Sequence, residues 1–202
     1  MMTLTWNHEN ELASPNVVPG GGGNIWPCKP NTETGLKERG FEFLAEMERL
    51  HMIVDVSHLS DRGFWDIAEH STRPFAASHS NCRALAPHCR NLTDEMIRVM
   101  AEKGGLVGLN YCSGFLDDQP RPELCRSTTA LMARHAAHFK QVGGIEIIGL
   151  GSDFDGIGGK LEMGDCSKLP LLADALRKEG FTEDEVEQIF FRNAQRFFEE
   201  NL

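Results

Sequence analysis

His58 and His79 stand 21 residues apart, each closing a run of apolar, strand-forming residues at a small polar turn: MIVDVSHLS over 52–60 and PFAASHSN over 74–81. One strand, helix, strand unit separates them. In a parallel sheet the two imidazoles then fall at the same edge of neighbouring strands, about 5 to 7 Å apart for strands spaced roughly 4.8 Å. Two neutral imidazoles so placed can hold one metal ion or two adjacent ones. A solitary histidine there would read as a hydrogen-bonded core residue, and the repetition favours a metal pair.

Further along, GLGSDFDG (149–156) ends another apolar run with Asp153 and Asp155. Acids flanking Phe154 point to opposite faces of an extended chain, so Asp153 is the one expected to face the histidines. A carboxylate there can bind a substrate ammonium, ligate a metal or take a proton; the plain alternative is an Asx turn closed by Gly156. Arg90, in PHCRNLTDE (87–95), lies in the loop after His79. Its planar guanidinium suits a carboxylate through two parallel hydrogen bonds, or else pairs on the surface with Asp94 or Glu95. His8 and Trp6 close the opening segment MMTLTWNH, where a histidine either donates to a carbonyl or oxyanion or faces solvent. His51, His70, His88, His135 and His138 lie away from strand ends and read as structural or exposed.

Positioning these side chains falls to a regular alternation of two hydrophobic periods. Strand-like runs cover 1–8, 52–58, 73–80, 106–112 and 145–156, and helical spacing covers 35–51, 60–71, 91–105, 127–144 and 181–202. Ser60, Thr93 and Thr182 suit N-caps, and Gly104 with Gly105 supplies a stop. Strands of near-continuous apolar character alternating with helices imply an α/β class with a parallel sheet covered on both faces. No GxGxxG or Walker phrase follows a strand, whereas polar residues gather at the strands' carboxyl ends, as in a TIM-like barrel. Such a (β/α)8 barrel needs eight strands in typically about 250 residues. About five are found, so residues 1–202 read as one partial domain, the C-terminal part of a barrel lacking its N-terminal strands. The stretch 13–34 is rich in Gly, Pro and Asn and reads as a long loop. A phosphate cradle at Gly20 to Gly23 is the weaker reading, because no Lys-Ser/Thr follows.

The net charge of −10 offers no positive footprint for nucleic acid or an anionic membrane. No apolar stretch reaches the roughly 18 to 20 residues of a membrane span, and no export signal opens the chain. The six cysteines form no CxxC pair, and reduced thiols in a cytoplasmic protein are expected.

In this order and with these intervals, VDVSHLS, ASHSN, CRNLTDE and GLGSDFDG resemble the membrane dipeptidase (renal dipeptidase-like) family of zinc metallopeptidases, peptidase family M19, from about residue 3 to the C-terminus. The resemblance implies a (β/α)8 barrel with a two-zinc site that hydrolyses dipeptides. His58 and His79 match zinc ligands, Arg90 the holder of the substrate carboxylate, and Asp153 an acid near the substrate amine and the attacking water. Two departures stand out. The family's His-x-Asp pair and bridging glutamate, which precede the LTWNH segment (4–8), have no counterpart. The family histidine that polarises the scissile carbonyl aligns with Trp6, leaving His8, two residues on, as the candidate substitute.

The expected activity is zinc-dependent dipeptide hydrolysis, weak or absent in this chain by itself unless a preceding segment or a second copy supplies the missing ligands and strands. The rival expectation is a non-catalytic protein holding a zwitterionic ligand between Arg90 and Asp153 without metal, or a truncated product.

Overall fold

The computed structural model describes residues 1–16 and 28–202, so the reading of Gly20 to Gly23 lies outside the described residues. Five short strands, β1 (Met2–Thr3), β2 (Val54–Asp55), β3 (Ala76–Ser80), β4 (Leu106–Leu109) and β5 (Ile148–Leu150), form one sheet in sequential order. Every pairing is parallel. Sequential order without a reversal is how barrels are wound, whereas a doubly wound sheet reverses at its switch point.

Helices α1 (Glu38–Arg49), α2 (Asp61–His70), α3 (Asp94–Glu102), α4 (Ser113–Leu116), α5 (Thr129–Gly143), α6 (Leu169–Lys178), α7 (Glu183–Glu187) and α8 (Asn193–Asn201) cover the strands. Their starts follow from local chemistry. Ser60 Oγ accepts from the Gly63 N–H and Thr93 Oγ1 from the Met96 N–H, and Thr182 with Glu185 forms a reciprocal capping box. The apolar stripes of these helices meet the sheet in a main core in which Met47, Ile67, Ile97, Met132 and Phe139 pack on Val54, Val107 and Ile148, and a smaller cluster gathers Phe197 of α8 with Ile53, Ala76 and Leu106. No helix among the described residues is long and apolar enough to cross a membrane.

Two elements differ from expectation. Helix α6 lies in a stretch left without secondary structure, although Leu169, Leu172 and Leu176 repeat at helical spacing and Pro170 opens its first turn. The segment expected as one terminal helix is two, joined by a π-helical turn at Gln188–Arg192. Just past that turn, Asn193 Nδ2 donates to the carbonyls of Ile145 (2.7 Å) and Ile148 (2.8 Å), which fixes the end of the chain on β5.

The expectation of six reduced thiols fails at one pair: Cys28 and Cys89 form a disulfide, with Cα atoms 5.3 Å apart. A separation of 61 residues conceals the approach, because the chain returns to the same place only after α1, β2, α2 and β3. Cys82, Cys112, Cys125 and Cys166 are free.

Beneath the carboxyl edge of the sheet the backbones come unusually close. A Cβ added at Gly108 or at Gly151 would lie 2.0 Å from the Ser78 carbonyl oxygen. Only glycine lets β4 and the residue after β5 seat themselves against β3 at that level.

Candidate active site

Register brings the histidines together. Asp55 pairs with Ala76, and three residues beyond each partner come His58 and His79. Their ring centroids lie 4.9 Å apart and their Nε2 atoms 2.9 Å apart. His79 belongs to β3, whereas the ladder of β2 ends at Asp55 and His58 stands in the turn after it.

The groups behind the rings decide which nitrogen carries the proton. Ser78 Oγ donates to Asp55 Oδ2, so its oxygen accepts from His79 Nδ1 at 2.7 Å. Asp55 is itself held by the N–H groups of Ser57 (3.0 Å) and Ser78 (2.9 Å) and by Thr3 Oγ1 (3.0 Å). Asn7 Oδ1 lies 3.1 Å from His58 Nδ1 and accepts from it. Both rings thus turn their Nε2 lone pairs toward each other, and a donor or a Lewis acid must come from outside the pair. Burial first, then the Arg90 charge and His79, hold the His58 pKa down to about 2. Burial and Arg90 also lower His79, against the opposing pull of Asp55 and Asp153. At neutral pH both rings are therefore neutral, the form that ligates metals.

Arg90 is 4% exposed, not a surface residue pairing with Asp94 or Glu95. One of its nitrogens, Nη2, donates to His79 Nε2 at 2.9 Å, and the group lies 5.5 Å from the Phe115 ring centre. Nη1 is buried without a hydrogen-bond partner among the described residues. Burial lowers its pKa to about 10, which leaves it charged at neutral pH. A buried cation with an unused donor recruits an anion, and the planar fork matches a carboxylate.

Asp153 has positive φ (+63°), in the loop that follows β5. Its Oδ2 accepts from Asn110 Nδ2 at 3.1 Å. Gly156 gives the carboxylate room, since a Cβ there would lie 2.4 Å from Asp153 Oδ1. His58, Arg90 and Asp153 line one cavity of about 320 Å3, and Asp155 is not among its lining residues. His8 does not line it either. Thr5 Oγ1 bonds the His8 carbonyl at 2.7 Å, and the turn this makes carries Trp6 and Asn7 to the cavity while His8 stays exposed.

Sequence reading overlooked several contributors. Asn7, Asp55 and Ser78 orient the imidazoles, and the SHS and VDVS phrases were the signal for two of them. His88, expected to be structural or exposed, is buried and lines the cavity beside Phe115, at 4.5 Å between ring centres. Cys112 also faces the cavity. Neither carries a periodic signal, because both sit in loops. His135 conforms to its structural reading: Nδ1 accepts from the Cys82 N–H and Nε2 donates to the Leu116 carbonyl.

A metal ion fits this pair chemically, with His58 and His79 as two imidazole ligands. Among the described residues no further His, Cys, Asp or Glu completes a three-ligand cluster with them. A catalytic zinc usually takes about three protein ligands.

The family model described as membrane dipeptidase (peptidase family M19) matches residues 1–201. An uncharacterised protein in the pqqA 5' region of Klebsiella pneumoniae is 36% identical over 191 residues, covering 95% of this chain and 68% of its own length. An uncharacterised dipeptidase of Schizosaccharomyces pombe is 34% identical, covering 96% of this chain and 45% of its own. Among solved structures, a Rhodobacter sphaeroides metallo peptidase liganded with a phosphinate mimic of the dipeptide L-Ala-D-Ala superposes with a TM-score of 0.88. It is 31% identical and covers 99% of this chain and 55% of its own. This chain thus spans about half to two thirds of the length of these relatives. It belongs to the membrane dipeptidase family of metallopeptidases, peptidase family M19.

Proposed function

We propose that this chain carries the zinc-binding and substrate-holding half of a dipeptide hydrolase. The observation that carries the reading is the convergence of two neutral imidazole Nε2 atoms at 2.9 Å, beside a buried guanidinium with a free donor. His58 and His79 hold zinc, and Asp55 with Ser78 fixes the His79 tautomer from behind. Bound zinc supplies polarisation of the peptide carbonyl and a water of lowered pKa. Arg90 pairs with the C-terminal carboxylate through Nη1, and Asp153 accepts the proton of the attacking water or the substrate ammonium. The dipeptide mimic held by the Rhodobacter sphaeroides relative supports a substrate of this size. Longer peptides carry an amide where Arg90 needs a carboxylate.

Two imidazoles fall short of the usual ligand set, so the isolated chain is expected to hydrolyse dipeptides at well under about 1 per second even with added zinc. A chromatographic assay of L-alanyl-L-alanine cleavage on the purified chain tests this; turnover of about 1 to 1000 per second would show that the chain completes its own site. The unpartnered Nη1 also supports a second reading, a metal-free binder of zwitterions. Ligand affinity unchanged by chelator and by His58→Ala would select it.

A further inference from the structure

Arg90 is placed by a loop, and that loop is tied down at the residue before it. Cys89 is 1% exposed, and its sulfur is joined to Cys28, which is only half-buried. The Cys89 carbonyl accepts from Asn16 Nδ2 (2.6 Å) and Arg83 Nη2 (3.0 Å). Asn16 reaches the other side of the cross-link as well, its Oδ1 accepting from the Asn31 N–H at 2.9 Å. Asp61 completes the frame, paired with Arg83 at 2.6 Å and with Asn16 at 2.8 Å. On the far side of Cys89, the Arg90 N–H donates to His88 Nδ1 at 3.1 Å. We propose that the Cys28–Cys89 disulfide positions Arg90 for a substrate carboxylate, which makes the two cysteines positioning residues of the site. This rests on Arg90 being the carboxylate anchor.

Cys28, Cys89 and His88 have ligand atoms within 4.8 Å of one another, so a metal ion is the competing occupant. The hydrogen bond from the Arg90 N–H argues against it: with Nδ1 engaged, the neutral His88 ring carries its proton on Nε2 and keeps no lone pair for a metal. Closing the cross-link removes two electrons and two protons from the two thiols. A low-molecular-weight disulfide takes them and leaves as two thiols. The half-buried Cys28 is the side that such a reagent reaches.

The test is equilibrium binding of L-alanyl-L-alanine and its C-terminal amide to the full chain, with chelator present so that neither is cleaved. In the oxidised chain the free carboxylate is expected to bind about tenfold tighter than the amide. Reduction with a phosphine, or Cys28→Ser, shrinks that preference to within about twofold while leaving amide affinity in place, and glutathione disulfide restores it in the wild type only. A general loss of structure would weaken both ligands together. Should Arg90→Ala keep the preference, the carboxylate reading itself falls. A preference lost in Arg90→Ala but kept after reduction and in Cys28→Ser overturns the positioning role alone. Peptide mapping of the unreduced chain must yield a linked Cys28–Cys89 pair; free thiols, or one equivalent of zinc released by Cys28→Ser, would overturn it too.

Discussion

His135 and the pair His58 and His79 are all withdrawn from water and all held below the ordinary histidine pKa by burial, yet they do opposite work. His135 spends both nitrogens on backbone groups, the Cys82 N–H and the Leu116 carbonyl, and so staples the loop after β3 to α4 and α5. His58 and His79 spend Nδ1 on the protein and turn Nε2 toward each other, and toward the Arg90 guanidinium, at the edge of the sheet. Burial and a lowered pKa therefore do not separate a structural histidine from a candidate ligand. What separates them is whether Nε2 is locked to a backbone group, as in His135, or faces other side chains at the site.

The largest expected effect comes from exchanging the two environments' losses. His79→Ala should weaken zinc binding by at least about 100-fold in a competitive chelator titration, since even partners behind a ligand are worth about 10- to 100-fold. The metal-free melting temperature should move by less than about 3 °C. His135→Ala should do the reverse. Zinc affinity stays within about twofold, while two lost hydrogen bonds and a cavity cost roughly 3 kcal/mol, or about 6 to 12 °C in melting temperature. If His135→Ala released zinc, this distinction by the partner of Nε2 would be broken.

Acid sharpens the same contrast. Burial lowers His135 to about 4, so between pH ~6.5 and 4 the unfolded chain takes up a proton that the folded chain refuses. Stability falls as pH falls through that window, by roughly 3 kcal/mol, and this contribution stops growing below about pH 4. His58 lies lower still, near 2, so its contribution keeps falling toward that pH. In urea titrations of metal-free protein, wild type should lose ground to a His135→Gln variant only down to about pH 4, and to His58→Ala well beyond it. The smallest effect is expected at His8, exposed and outside the cavity: His8→Ala should leave zinc affinity unchanged and stability within about 0.5 kcal/mol by the same assays.

Much of this contrast is legible in the sequence. The 21-residue interval between His58 and His79 encodes register, because one β-strand to β-strand step in a parallel sheet restores the same edge. Alternating apolar runs likewise specified the parallel sheet. The ladders proved shorter than the runs, β2 pairing over two residues, because apolar character reports burial and not hydrogen bonding. Contacts made by loops left no trace in periodicity. His88 comes to the cavity through the loop after β3, and Cys28 meets Cys89 after four intervening elements. Asn7 rather than His8 reaches His58 because a turn of a few residues rotates the chain, a rotation that no spacing rule records.

Gly108 and Gly151, packed against the Ser78 carbonyl oxygen, carry a consequence for how this family can vary. Ser78 orients His79, so the histidine edge stands on a patch of bare backbone contributed by β3, β4 and the residue after β5. Cavity-lining side chains such as Cys112 and Ile157 can be exchanged to retune ligand preference without moving that foundation. Even a single methyl group at either glycine would push the strands apart under the histidine. In a saturation library, tolerance to change should therefore be lowest not among the residues that touch a ligand but one layer below them, where the side chain is a hydrogen atom.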